Sequence, residues 1–173
     1  AIELAKAEII QAPPGTQFVY SDINYILLGE IIQQLTGSLF EDFTRQEIFE
    51  PLGMTDTVYL PSSNLKHRTA PTKWTEGVML QGIPNNPICR KTGRAHGHAG
   101  MFTTAADLAR FARMMLNKGE RNGLRLFKPE TVERMTSVQS PPQVNDWRGL
   151  GWDIDTAYSK QRGTLFPIGG YGH

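Results

Sequence analysis

The sequence predicts a helix-rich chain with a few short strands, and three observations carry that reading. Apolar residues recur at three and four positions through Ile23, Ile26, Leu27, Ile31 and Leu35, and again through Leu108, Phe111, Ala112, Met115 and Leu116, the spacing of one helix face. Two short runs, residues 150–154 and 164–168, have the length and flanking glycines of strands. Between residues 61 and 100 the chain is rich in Pro, Gly, Asn and Thr, a stretch too long for a simple connection and of the kind that lines a site.

Taken in order, the opening AIELAKAEII reads as an amphipathic helix with Ile2, Ala5 and Ile9 on one face, broken by Pro13-Pro14-Gly15. Gln17 to Tyr20 is a short extended piece. Ser21 or Asp22 can N-cap the next helix, which ends at Gly37 in the position that favours a left-handed residue. A further helix over 39–49, with Phe40, Phe43, Ile48 and Phe49 inward, is expected to stop at Pro51-Leu52-Gly53-Met54. One short strand is expected at 77–80. Thr104-Ala105-Ala106-Asp107 fits a capping box opening the helix that runs to Asn117, closed by Lys118-Gly119. Pro129 at a first-turn position starts a short helix to about Val138. The beginning lacks an initiator Met and the end stops in an apolar, Gly-rich run, so the sequence reads as an internal segment, 1–173, of a larger domain cut at both ends.

The charges narrow the partners. Lys and Arg number 18 against 17 Asp and Glu, a net charge of +1 without like-charge blocks, which gives no electrostatic reason to bind nucleic acid. No apolar stretch approaches the roughly 20 residues of a membrane span. The single cysteine, Cys89, has no partner for an internal disulfide and leaves the compartment open.

Four places carry residue types with chemistry. Tyr20-Ser21-Asp22 sits at a strand-to-helix turn, which reads either as a helix start with an acidic cap or as a phenol and a carboxylate turned into a cleft. His96 and His98 alternate and could share a metal, with His67 as a third ligand, although Gly93, Gly97 and Gly100 favour a tight turn that packs a histidine on Met101 and Phe102. Ser63-Asn64-Leu65-Lys66 has the nucleophile-plus-lysine spacing, but lies in a polar stretch that would not desolvate the lysine. The last is the terminal Gly172-His173.

Read together, FVYSDINYILLGEIIQQLTG, EPLGMTDTVYLP, GHAGMFTTAADLARFARMMLNKG and RGLGWDID with LFPIGGYGH resemble, in that order, the serine hydrolases related to class C β-lactamases, penicillin-binding proteins and their esterase relatives. The resemblance implies a β-lactamase/transpeptidase-like α+β fold, of which this segment would be mostly the helical subdomain plus a few strands of the antiparallel sheet. Enzymes of this kind place a Ser-x-x-Lys nucleophile, a Tyr-x-Asn-like base and a Lys- or His-Thr/Ser-Gly motif around one groove. Tyr20 matches the base, Asp22 stands where Asn is commoner, and His173 would open the third motif. The nucleophile is expected upstream of Ala1. Ser63 follows Tyr20 in the chain and so cannot fill that role.

The chemistry explains these types. A serine hydroxyl is a poor nucleophile until a neutral Lys or a phenolate takes its proton during attack on a carbonyl. An ionised carboxylate at position 22 cannot donate a hydrogen bond as an amide would, which tilts the expectation from β-lactams towards esters or D-amino-acid peptides. The expected activity is hydrolysis of an ester, amide or β-lactam carbonyl through an acyl-serine, with Tyr20, Asp22 and His173 as site residues and no cofactor. The segment alone is expected to be inactive. Small-molecule or peptidoglycan-like substrates and a periplasmic or secreted location follow from the same resemblance. Two rivals are a non-catalytic, penicillin-binding-like binding or regulatory module, and a metal-binding protein using His96, His98 and His67.

Overall fold

A computed structural model describes residues 2–156, 159 and 170–173. They fall into two compact units, Ala1–Glu8 with Ser21–Ala112 and Ile9–Tyr20 with Arg113–His173.

In the first unit, α1 (Ile2–Lys6) is only five residues long, with Ala5 buried and Ile9 beyond its end exposed. With Ile9 and Ile10 exposed, no burial rewards extension into the expected longer helix, and a short helix is costly to nucleate without it. Helix α2 (Asp22–Thr36) begins on Ser21, whose backbone is extended and whose Oγ accepts the Ile23 N–H at 3.2 Å. It ends at Gly37 with φ of +69°, whose N–H returns to the Gln33 carbonyl at 2.9 Å. Ser21 is therefore the cap, and Asp22 is the first helical residue, where the helix dipole favours an acid. Only part of the expected stripe is buried: Ile26 is inside, whereas Leu35 is 81% exposed. Gly29 is buried instead, because the Gly97 backbone lies on it; a Cβ at Gly29 would come within 3.0 Å of the Gly97 nitrogen.

The next helix ends inside the expected stop, at Gly53, and takes Pro51 and Leu52 into its last turn. α3 (Phe40–Thr44) passes through a π turn (Arg45–Phe49) into α4 (Glu50–Leu52), and Gly53 at φ of +69° ends the run. The Glu50 N–H reaches back five residues to the Arg45 carbonyl. A wider turn at this point accommodates a ring that has no N–H and would crowd the carbonyl four residues before it.

Strand β1 (Val58–Tyr59) is followed by a 3-10 turn (Lys66–Arg68) and a hairpin of β2 (Lys73–Thr75) and β3 (Val78–Leu80). Glu76 and Gly77 both have positive φ, +50° and +77°, the two-residue turn whose twist suits a hairpin. The Asn86 side chain then caps α5 (Pro87–Thr92), accepting from the Ile88 N–H at 2.9 Å and the Cys89 N–H at 3.2 Å. Strand β4 (Met101–Phe102) pairs antiparallel with β1, Val58 opposite Phe102.

Helix α6 (Ala105–Leu116) starts as half of the expected capping box. Thr104 Oγ1 accepts the Asp107 N–H at 3.2 Å, but the Asp107 carboxylate accepts from the Asp56 N–H at 2.8 Å, from Thr57 Oγ1 at 2.9 Å and from Arg110. That buried acid sets the phase of the helix. Asp107, Met114 and Met115 face inward while Leu108, Ala112 and Leu116 are exposed, a rotation of the predicted stripe.

In the second unit, Asn122-Gly123 turns β5 (Glu120–Arg121) into β6 (Leu124–Arg125), again with positive φ at both residues. Helix α7 (Pro129–Thr136) buries Val132. Strands β7 (Trp147–Arg148) and β8 (Asp153–Asp155) pair antiparallel. The strand expected at 150–154 is displaced to β8 because Gly149 and Trp152 close a turn, Gly149 N–H to Trp152 O at 2.8 Å. The strand expected at 164–168 lies outside the described residues. Strands among the described residues thus form short antiparallel pairs between helices, an α+β arrangement.

Candidate functional site

The second unit brings together two of the three expected site residues. The Tyr20 and His173 rings lie parallel, 5° apart in plane, with centroids 6.5 Å apart. Tyr20 is 47% exposed, so it is presented to solvent rather than packed into the core. The support behind the pair is a backbone bridge and a buried carboxylate. Gly172, the residue before His173, exchanges both backbone hydrogen bonds with Asp153 of β8, at 2.7 and 3.0 Å. Asp153 is buried and accepts from Thr156 Oγ1 at 2.6 Å and from Ser159, and its Oδ2 is 3.5 Å from Arg148 Nη1. The Arg148 guanidinium in turn lies 5.2 Å from the centre of the Phe18 ring, two residues before Tyr20. One cation therefore ties the segment carrying Tyr20 to the strand that holds His173. Tyr171 adds an edge contact, its ring 5.1 Å from Trp152 at 73°.

In the first unit, Asp22 opens α2 with its side chain 46% exposed. The turn over 96–99 faces it, closed by His96 N–H to Ala99 O at 3.2 Å and Ala99 N–H to His96 O at 3.1 Å. Gly97 at its tip touches α2 so closely that a Cβ there would sit 2.1 Å from the Tyr25 carbonyl oxygen. The close approach sets His98 Nε2 4.0 Å from Asp22 Oδ2, with the imidazole 3% exposed. Burial pushes the His98 pKa down from the usual imidazole value, and Asp22 opposes that in part. His96 is lowered too, by burial first and by its neighbour His98 second; its Nε2 is 2.9 Å from Thr92 Oγ1. Cys89 is fully buried and burial raises its thiol pKa, so it is a packing group rather than a nucleophile. The tight turn was legible in the glycines, but the partner of His98 is the start of α2.

The other sequence candidates separate cleanly. Ser63 lies exposed in a loop ahead of the 3-10 turn, where Lys66 is exposed too, a setting without the burial a lysine base requires. Among the described residues no group of three or more His, Cys, Asp or Glu side chains converges as a metal site, so the metal reading of His67, His96 and His98 finds none. The irregular stretch does line a cavity, about 1000 Å³, with Leu65, Ile83 and Phe102 as apolar wall and Arg68, paired to Asp56 at 2.9 Å, at its polar side. No described helix is long and apolar enough to cross a membrane. Sequence reasoning missed Arg148, Phe18 and Asp153. Their signal, an Arg and an Asp flanking Gly-Leu-Gly between two short strands, is too generic to find.

Comparison with known proteins shows the family and the fold. The family described as Beta-lactamase matches residues 1–173. A provisionally named D-alanyl-D-alanine carboxypeptidase of Escherichia coli (strain K12) is 30% identical over 190 residues, covering 99% of this chain and 43% of that protein. An N-acetylmuramyl-L-alanine amidase of Bacillus subtilis (strain 168) is 33% identical over 154 residues, 80% of this chain and 34% of its own length. The chain thus spans less than half the length of these curated relatives. Among solved structures, a beta-lactamase from Mycobacterium bovis superposes with a TM-score of 0.63 at 23% identity, over 94% of this chain and 50% of that one. A beta-lactamase/D-alanine carboxypeptidase from Pseudomonas syringae gives 0.63 at 18%, over 86% and 38%, a likeness of fold. The chain belongs to the beta-lactamase family, with a β-lactamase/transpeptidase-like fold.

Proposed function

We propose that the protein carrying this chain is a serine hydrolase that cleaves a D-alanyl amide or ester of a peptidoglycan-like peptide through an acyl-serine. The observation that carries the reading is the pairing of Tyr20 with His173, the two residues that match separate motifs of the family and lie 153 positions apart in sequence (173 − 20). The names of the relatives, a carboxypeptidase and an amidase, support a peptidoglycan-like substrate. Tyr20 takes the proton of the attacking serine and returns it to the leaving group, and His173, parallel to its ring, lines the cleft wall. The reading assigns the serine and its lysine to the part of the protein outside these 173 residues, so this chain alone turns over no substrate. Asp22, as a carboxylate, accepts hydrogen bonds and donates none, which favours a substrate that offers an N–H beside the scissile carbonyl.

The test is release of D-alanine from a D-alanyl-D-alanine peptide by the full-length protein and by its Tyr20→Phe variant. Turnover in the first and a loss of two or more orders of magnitude in the second support the reading. Equal rates in both overturn the role of Tyr20, and no turnover of amide, ester or β-lactam by intact protein overturns the hydrolase.

A further inference from the structure

One polar group in the first unit is out of keeping with its surroundings. Both ring nitrogens of His98 are buried and neither has a hydrogen-bond partner. Leaving a buried polar atom unpaired costs roughly 1–3 kcal/mol, and a buried imidazole with both nitrogens unpaired is rare enough to ask what it is kept for. A phenylalanine or leucine would fill the same space without that cost. The glycine beside it adds to the case: only Gly97 lets the turn rest on α2, since any side chain would run into the Tyr25 carbonyl. The chain is built to bring this imidazole to the first turn of α2.

Among the described residues, the charged group it meets there is Asp22. Asp22 Oδ2 is 4.0 Å from Nε2, about 1 Å beyond a hydrogen bond, and Asp22 is half exposed at the helix start, free to close that distance by a small side-chain rotation. The other titratable groups nearby do not compete for it: His96, 6.0 Å away between ring centroids, is held towards neutrality by burial and engaged with Thr92, and the Cys89 thiol is held protonated by burial. His98 itself stays neutral near pH 7, because burial opposes its charging more than Asp22 favours it. A neutral imidazole has one N–H to give, and the nitrogen that faces a carboxylate is the one that carries it.

We propose that His98 is a positioning residue for Asp22: it donates from Nε2 to Oδ2 and so leaves Oδ1 as a fixed acceptor for an ammonium or amide N–H of the substrate. The inference rests on the hydrolase reading for the identity of the substrate, but the His98–Asp22 hydrogen bond does not. A carboxylate free to rotate would offer its lone pairs in every direction. One oxygen tied back to a buried ring leaves the other with a single orientation, and discrimination follows from orientation, because a substrate lacking the donor leaves a desolvated acceptor unpaired.

Two measurements on the full-length protein test this. The first is independent of activity: the titration of the His98 imidazole followed by NMR in the unaltered protein and in Asp22→Asn. A lower midpoint in the variant supports the pair, since the carboxylate that favours the charged ring is gone; an unchanged midpoint overturns it. The second compares kcat/KM for D-alanine p-nitroanilide and for the propionic p-nitroanilide, which differ only in the ammonium. The unaltered enzyme prefers the first by at least about tenfold. His98→Phe and Asp22→Asn both lose that preference, whereas His98→Gln, whose amide N–H stands near Nε2, keeps it within about threefold of the unaltered ratio. A preference untouched by His98→Phe, or one lost equally in His98→Gln, overturns the positioning role. If the NMR result holds while the intact protein turns over no amide, ester or β-lactam, the hydrolase reading fails and the pair survives.

Discussion

The Tyr20–His173 pair and the Asp22–His98 pair are built on opposite plans. The first shows both rings to solvent, and its precision comes from what lies behind: the Gly172–Asp153 backbone bonds, the buried Asp153 carboxylate and the Arg148 cation over Phe18. The second hides its imidazole and leaves the carboxylate half exposed, with an open 4.0 Å between them. The difference teaches that exposed groups are best held through the backbone, which has no rotamers to lose. A half-exposed carboxylate can instead be held by a buried side chain that has no other hydrogen-bond partner. Each unit also holds a glycine with no room for a methyl group, Gly97 on α2 in one and Gly149 against the Met135 carbonyl in the other.

The largest effect that would break the comparison is on rate. Tyr20→Phe in the full-length protein is expected to lower kcat by roughly 10²–10⁴ while the thermal midpoint shifts little, because the ring is half exposed. A comparable loss of stability would mean that Tyr20 is structural. Next comes the support. Arg148→Met removes the cation from a buried carboxylate and should cost about 3 kcal/mol in denaturant unfolding, with activity falling as Tyr20 and His173 lose their common tie. Retained activity at reduced stability would show that the backbone bridge at Gly172 suffices. Gly97→Ala is expected to cost about 1–3 kcal/mol, since the new methyl group meets backbone rather than a movable side chain. The same substitution at Gly149 should cost a similar amount, and a large inequality would say that one close contact is more forgiving than the other.

The smallest expected effect is the dependence of stability on pH. His96 and His98 both have pKa values lowered in the folded protein, so between those values and the unfolded value of about 6.5 the unfolded chain binds more protons. Stability contributed by the neutral rings is complete above about pH 6.5 and is lost as pH falls through that window towards the folded values. Thermal unfolding from pH 8 to 5 should show this decline, reduced in His98→Phe. A midpoint that rises on acidification would contradict the burial assigned to both rings.

Much of this was legible in the sequence, and the exceptions share a cause. The bounds of α2 follow from Ser21 and Gly37 because a cap is a local bond between residues two to four apart. The phase of α6 was misread because Asp107 is drawn inward by Asp56 and Thr57, some fifty positions away, and no periodicity reports such a partner. The Asn122-Gly123 hairpin carries a recognised local signal and was overlooked among charged neighbours. Asn86-Pro87 likewise announces α5 inside what reads as irregular chain. For the site, Tyr20, Asp22 and His173 are proposed from the order of motifs along the chain. His98 as a partner of Asp22 is not, because it depends on where a two-glycine turn lands.

The central claim is that Tyr20 serves an acyl-serine enzyme, and covalent labelling tests it most directly. The full-length protein is treated with a fluorophosphonate or a β-lactam and the modified peptide is located by mass spectrometry. The account predicts one modified serine, outside these 173 residues, whose labelling slows at least about a hundredfold in Tyr20→Phe. An adduct on Ser63, labelling indifferent to Tyr20, or no adduct at all from active-concentration probe would contradict it.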